Sequence, residues 1–203
     1  MILIADSGST KTDWVLTDND KNQFRFSTIG YNPYFIDSEN IYHSLTQNLI
    51  PRFDAHKVKK VIFYGAGCST TENSAIVHKA ISKCFSNSEV KVEHDMLAAA
   101  RALLGNKRGF AAIIGTGSNT CIYDGNDIEK NIDSLGYLLG DEGSGSCIGK
   151  KIIRDYMRGF LPIDLDHKFN TTYHLTNADI FDCLYNKRSP NRFLASFCKF
   201  ADE

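Results

Sequence analysis

The sequence predicts a mixed α/β fold in βββαβαβα order that starts a second time without finishing, and three observations support this reading. The chain opens with three short extended runs. A strand–helix alternation follows, which places helices on the faces of a mixed sheet. Near residue 110 the opening pattern returns, again with a glycine and hydroxyl turn between its first two strands.

Each element has its own signal. Ile2-Leu3-Ile4-Ala5 reads as a buried strand. Gly8 and a Ser/Thr cluster turn the chain, and Trp14-Val15-Leu16 resumes an extended pattern. Residues 17–22 are rich in turn formers, and Phe24-Arg25-Phe26 alternates as a third strand. The period then changes. Ser38 is placed to cap a helix with Ile41, Leu45 and Leu49 at i, i+4 and i+8, bounded by Pro51. Val58 to Tyr64 is a β-branched and aromatic strand ending at Gly65-Ala66-Gly67. Ser69-Thr70-Thr71-Glu72 fits a capping box ahead of a stripe of Ile76, Val77, Ala80, Ile81 and Phe85. Val90-Lys91-Val92 is a short strand, and Met96 to Leu104 a helix rich in Ala and Leu.

The second copy begins at Phe110 to Ile114, which runs into Gly115-Thr116-Gly117-Ser118-Asn119. Aligning this segment with Ile4 to Thr10 puts Gly8 on Gly117 and Ser9 on Ser118. Thr120 to Tyr123 and Asp127 to Ile132 are its next strands, with a tight hairpin signal at Asp124-Gly125. A helix starts near Ser144, and Asn177 to Tyr185 and Arg192 to Phe200 read as helices without further strands. The expected organisation is a first lobe over 1–107 and the start of a second, with a helical extension, over 108–203. The second lobe is expected to be incomplete, and a cleft is expected between the copies.

Composition narrows the function classes. Apolar residues make up 42% and charged residues 23%, as in soluble globular proteins. The net charge of -1 lacks the basic excess of a phosphate-gripping nucleic-acid binder. No apolar run approaches the roughly 18 residues that span a bilayer, and the N-terminal run is too short for a signal peptide. The six cysteines are scattered without a CxxC pair and read as reduced thiols of a cytoplasmic protein.

Four stretches carry chemistry. In Asp6-Ser7-Gly8-Ser9-Thr10-Lys11-Thr12, a tight glycine turn lets N–H groups approach a phosphate, and hydroxyls add donors. Asp6, at the end of a strand, can hold Mg²⁺ through its water shell. Gly115-Thr116-Gly117-Ser118-Asn119 repeats the arrangement, and a strand follows it, so it is neither a Walker A loop nor a Rossmann fingerprint. Asp95, between a strand and a helix, is placed either to cap the helix or to act as a general base in phosphoryl transfer. Gly140-Asp141-Glu142-Gly143-Ser144 opens a helix, where acidic residues suit the dipole, and carboxylates also accept hydrogen bonds from polyols. Asn32, before Pro33, either forms a turn or offers its amide to a ligand.

In this order, these motifs resemble the N-acetylglucosamine kinase group of the BadF/BadG/BcrA/BcrD-type ATPases, within the actin, hexokinase and heat-shock chaperone superfamily. The resemblance covers roughly residues 1–160 and rests on the two phosphate motifs, Asp95 and the 140–144 segment. It implies an actin-like ATPase fold of ribonuclease H-like topology and ATP-dependent phosphorylation of an amino sugar such as N-acetylglucosamine at its 6-hydroxyl. It further implies ATP phosphates at Gly8, Ser9, Thr10, Lys11, Thr12, Gly115, Thr116 and Gly117. The sugar would be held by Asn32, Gly67, Ser118, Asn119, Asp141 and Glu142, with Asp95 as catalytic base and Mg²⁺ at Asp6. A homodimer in the cytoplasm is implied, with no nucleic-acid or membrane partner. Two other readings are open. One is an ATPase that activates an acyl-CoA dehydratase or reductase through an iron–sulfur cluster. Cys198-Lys199-Phe200-Ala201 is similar to one of its cysteine contexts, but position 140 is glycine. The other is a non-catalytic sugar- or nucleotide-sensing domain.

Overall fold

Strict alternation along the first strand sets the first sheet. In β1 (Ile2–Ser7), Leu3, Ala5 and Ser7 are buried while Ile2, Ile4 and Asp6 face outward, as a period of two requires. The computed structural model describes residues 1–8, 10–187 and 189–201. These divide into two compact units, Met1–Arg108 with Asp124–Ile128, and Gly109–Tyr123 with Glu129–Glu203.

In the first unit β1 pairs antiparallel with β2 (Lys11–Thr17), which pairs antiparallel with β3 (Gln23–Ile29). On its other side β1 pairs parallel with β4 (Lys60–Gly65), and β4 parallel with β5 (Glu89–His94). The sheet order is β3-β2-β1-β4-β5. Helices α1 (Ser38–Asn48) and α2 (Thr71–Cys84) bury Ile41, Leu45, Val77, Ala80 and Ile81 against Leu3, Trp14, Val61 and Phe63. Each large side chain buried there contributes about 1.5–3 kcal/mol of transfer free energy. Helix α3 (Asp95–Leu104) packs on β1, β4 and β5, with Met96, Leu97 and Ala100 buried outside that cluster.

Two caps differ from the sequence reading. Asp37, not Ser38, caps α1, accepting from Asn40 N–H at 2.8 Å. Thr70 caps α2, accepting from Asn73 N–H at 3.3 Å. Glu72 therefore sits one position short of closing a capping box.

The second unit holds β6 (Gly109–Ile114), β7 (Ser118–Tyr123) and β8 (Ile128–Ile132), with β7 in the middle. The short helix α4 (Gly136–Leu139) precedes α5 (Gly145–Met157), whose N-cap is Ser144. Helices α6 (Ile163–Tyr173), α7 (Asn177–Tyr185) and α8 (Pro190–Ser196) follow. Ile153, Phe169, Ile180, Leu194, Phe197 and Phe200 form their core. The sequence reading missed α6 for a local reason. It has no side-chain cap, ends on the left-handed His174 instead of a glycine, and buries only Phe169. The expected helix 192–200 is two pieces, α8 and a 3₁₀ turn over Phe197–Ala201.

Candidate active site

Topology brings four loops of the first unit to one edge of its sheet. Ser7, Gly65 and His94 end the parallel strands β1, β4 and β5 in register. Because β3 is antiparallel to β2, it too ends on this edge, with Ile29 opposite Lys11. The turn at 8–10, the 30–37 loop, the 66–70 loop and Asp95 therefore share the carboxyl edge, where open α/β sheets place ligands.

The first turn is held from inside by a directed chain of hydroxyls. Tyr31 N–H donates to Ser7 Oγ at 3.1 Å. Ser7 Oγ lies 2.7 Å from Thr12 Oγ1, and Thr12 donates to the Ile29 carbonyl at 2.9 Å. With the Thr12 proton used there, Ser7 is the donor between the two hydroxyls. Thr12 is fully buried, so its hydroxyl shapes the turn and does not reach outward as the sequence reading expects. Gly8 N–H closes the turn onto Lys11 O at 2.9 Å. The Thr10 N–H makes no hydrogen bond among the described residues and is left for a ligand. Lys11 pairs with Asp13 at 2.8 Å on the exposed face. Ser9 lies outside the described residues. A methyl group added at Gly8 would meet nothing nearer than Lys11 O at 3.8 Å. The protein itself therefore does not require glycine there, and the space it leaves faces outward.

Asn32 and Gly67 are brought together. Gly67 is left-handed at φ +80, and an added Cβ would lie 2.5 Å from Asn32 Oδ1. Asn32 is buried and accepts from Tyr34 N–H at 3.1 Å. Asn73 Nδ2 donates to Gly67 O at 2.9 Å, tying the 66–70 loop to α2.

Asp95 opens α3 and does not cap it, since the N-cap position is His94. Its Oδ1 accepts from Met96 N–H at 2.8 Å and lies 3.0 Å from His94 Nε2. Its Oδ2 has no hydrogen bond among the described residues. Negative charge concentrates around it. Asp6 stands directly across from Asp13 in the β1–β2 ladder, an unfavourable like-charge pairing. Burial, then the charges of Asp95 and Asp13, raise the Asp6 pKa above its ordinary 3.8. Burial, then the Asp95 charge, pushes the Cys68 thiol up to about 12.

The Asp6 shift has a stability consequence. A carboxyl with a raised folded-state pKa contributes stability that is full below its unfolded value and lost as pH rises through its folded value. Ionised Asp6 is therefore a burden at neutral pH. Asp6→Asn is expected to raise the melting temperature at pH 7, with the gain disappearing as pH falls below about 3.8. Thermal melts across pH test this, and an equal or lower Tm for the variant at pH 7 would contradict it.

The second unit has its own knot. Gly115 N–H closes a turn onto Gly117 O at 2.8 Å, and Gly145 N–H and Ser146 N–H donate to the carbonyls of Gly115 and Thr116 at 2.8 and 3.0 Å. The start of α5 is thereby pinned to the glycine turn. The amides of Thr116 and Gly117 have no hydrogen bond among the described residues. A methyl group at Gly115 would meet nothing within 4 Å. Gly117 differs, because a Cβ there would lie 2.7 Å from Asp141 Oδ1.

Asp141 is the main correction to the sequence reading of the 140–144 segment. It is left-handed at φ +55 and only 6% exposed, and its Oδ1 accepts from Ser118 N–H at 3.0 Å. It clasps the glycine turn to α5 before it can offer anything to a ligand. Ser118 Oγ donates to Glu142 O at 2.9 Å, and Asn119 Oδ1 accepts from Thr120 N–H at 2.9 Å. Glu142 is exposed. Sequence reasoning did not single out two buried hydroxyls, Ser7, which holds the first turn, and Ser144, which caps α5. Ser144 lies 3.0 Å from Ser146 Oγ and accepts from Cys147 N–H at 3.2 Å. Only their places before a turn and before a helix signal them.

Among the described residues no group of three or more His, Cys, Asp or Glu could hold a metal ion by itself. Asp6 fits the sparser requirement of Mg²⁺, which takes one or two carboxylates plus phosphates. The electronegative surroundings of Asp6 favour a cation there. No helix among the described residues is long and apolar enough to cross a membrane.

Comparison with known proteins places this geometry. No protein-family model matches the chain, and no curated protein does. Among solved structures, a protein of Porphyromonas gingivalis described as a "putative N-acetylglucosamine kinase" is 43% identical, with a TM-score of 0.92. The match covers 98% of this chain and 71% of that one. A protein of Chromobacterium violaceum with the same description is 14% identical at a TM-score of 0.69, covering 98% and 72%. MamK bound to AMPPNP is 12% identical at 0.51, covering 85% and 64%. The last two are alike in fold alone.

Proposed function

Because the chain belongs to the N-acetylglucosamine kinase-like family with the actin-like ATPase fold, we propose that it transfers the γ-phosphoryl group of ATP to a sugar hydroxyl. The acceptor in this reading is N-acetylglucosamine or a related amino sugar, at its 6-hydroxyl. The observation that carries it is the convergence on one sheet edge of the turn that Gly8 closes onto Lys11, the Asn32–Gly67 contact and Asp95.

In the reaction, Asp95 Oδ2 accepts the proton of the attacking hydroxyl as that oxygen bonds to the γ-phosphorus and ADP leaves. In the first unit the Thr10 amide, and in the second those of Thr116 and Gly117, are the candidate phosphate donors, with Gly8 and Gly115 leaving room beside them. Lys11 adds positive charge beside the first turn. Asp6 would hold Mg²⁺, which would offset the polyphosphate charge. Asn32, against Gly67, addresses the sugar, with Ser118, Asn119 and the exposed Glu142 as further contacts, and Asp141 keeps these in place. Thr12 acts only through the shape of its turn.

Residues 1–107 form the first lobe in this reading, and residues 108–203 begin the second. The same reading makes the protein one of the BadF-type ATPases, acting as a cytoplasmic homodimer on a small sugar, with no nucleic-acid or membrane partner. A coupled ADP-release assay across a panel of amino sugars tests the proposal. Turnover on N-acetylglucosamine or a close relative is expected, and no turnover on any sugar sinks it.

A further inference from the structure

The second unit holds a groove that the proposed reaction does not use. It is lined mainly by α5 and α7, lies wholly within that unit, and encloses about 580 Å³. Small-molecule sites have this size, typically about 300–1,000 Å³, and combine apolar walls with a few charged groups. On α7, Asn177, Phe181 and Tyr185 recur at i, i+4 and i+8 and so share one face. Phe181 and Tyr185 stack with ring centroids 6.0 Å apart, yet remain 52% and 77% exposed. Along α5 and its C-cap, Lys150, Arg154 and Arg158 have the same spacing, interleaved with Ile153 and Met157. Like charges four residues apart repel, so this row costs helix stability by itself.

The cations are poorly compensated. The described lining includes no Asp or Glu. Lys150 Nζ donates to the Tyr137 carbonyl at 2.7 Å, a neutral partner. Arg154 Nε donates to the adjacent Asp155 at 2.8 Å. The hydrogen bond from Arg154, then the charges of Arg154 and Arg158, lower the Asp155 pKa. One carboxylate thus answers a row of three cations.

We propose that this groove binds a small organic anion with an apolar body: a carboxylate or phosphate ester carried on an aliphatic chain or aromatic ring. The anionic head pairs with the cations of α5, and the body covers Phe181 and Tyr185. Charge-assisted hydrogen bonds select the head, and burial of apolar surface holds the body. The inference goes beyond the kinase reading and does not rest on it.

Fluorescence titration of the full chain with 8-anilinonaphthalene-1-sulfonate, an aromatic anion, tests the proposal. Saturable binding is expected, displaced by octanoate and not by octylammonium or acetate. Arg158→Gln is expected to weaken octanoate binding about tenfold, the worth of one hydrogen bond to a charged group. Tyr185→Ala is expected to weaken it about fivefold. Both side chains are exposed, so both variants are expected to melt within about 2 °C of wild type. Absence of saturable binding, displacement by octylammonium as readily as by octanoate, displacement by ATP alone, or wild-type affinity in either variant overturns the proposal. The readout needs no turnover, so a chain inactive on every sugar defeats the kinase reading and leaves this site separately judged.

Discussion

Asp95→Asn is expected to lower kcat by about 10²-fold or more while the sugar still binds, because general-base assistance is worth about 10²–10⁴-fold. The exchange keeps the size of the side chain. Its carbonyl oxygen can still accept from Met96 N–H, as Oδ1 does at 2.8 Å. What disappears is the ability to take a proton at the second position. Folding does not suffer in compensation. The Asp95 charge is among the causes that raise the Asp6 pKa, so its removal relieves that neighbour. Steady-state kcat, sugar affinity by calorimetry and a thermal melt together give the test. A variant within about tenfold of the wild-type rate would remove Asp95 from the role of base.

Gly149→Ala is expected to be the most damaging small substitution in the second unit. Gly149 lies inside α5, where alanine normally stabilises a helix by about 1 kcal/mol. Here α8 crosses so closely that an added methyl would collide with the Leu194 carbonyl, and the obstacle is backbone that cannot rotate away. Accommodating it means separating α5 from α8 and opening the core of Ile153, Phe169, Leu194 and Phe197. Overpacking of this kind costs typically about 1–3 kcal/mol and occasionally more. Set against the helix gain, a net loss of about 2 kcal/mol would lower Tm by roughly 4–8 °C. Gly115→Ala serves as the control, since nothing lies within 4 Å of its added Cβ. It is expected to melt within about 2 °C of wild type, the scale of a neutral surface change. Equal melting of Gly149→Ala and wild type would mean that α5 and α8 are not held at this distance in solution.

The fold was legible wherever one short-range rule acts alone. Trp14 and Leu16 alternate with less buried neighbours, so β2 could be read from its period. Ile41, Leu45 and Leu49 repeat along one helix face, so α1 could be read from its stripe. Reading failed at α6, which carries neither cap nor terminal glycine, and at the α2 cap, where two adjacent hydroxyl residues compete and Thr70 prevails. In the site, the glycine turns were visible as residue types. The roles within them were not, because Gly8 and Gly115 use their N–H groups to close their own turns.

Residue chemistry and local period therefore determined the order of the elements, the two glycine turns and the carboxylate at the strand–helix junction. Pairing register decided that Ser7, Gly65 and His94 end side by side, which is what gathers Asp6, Asn32, Gly67 and Asp95 at one edge. Burial decided which polar groups remain available. It turned Asp141 and Thr12 inward to hold turns and left Oδ2 of Asp95 open. The reason is one of range. Periodicity and turn preference act over a few residues, whereas a hydrogen bond between Ser118 and Asp141 joins positions 23 apart and exists only once the chain has packed.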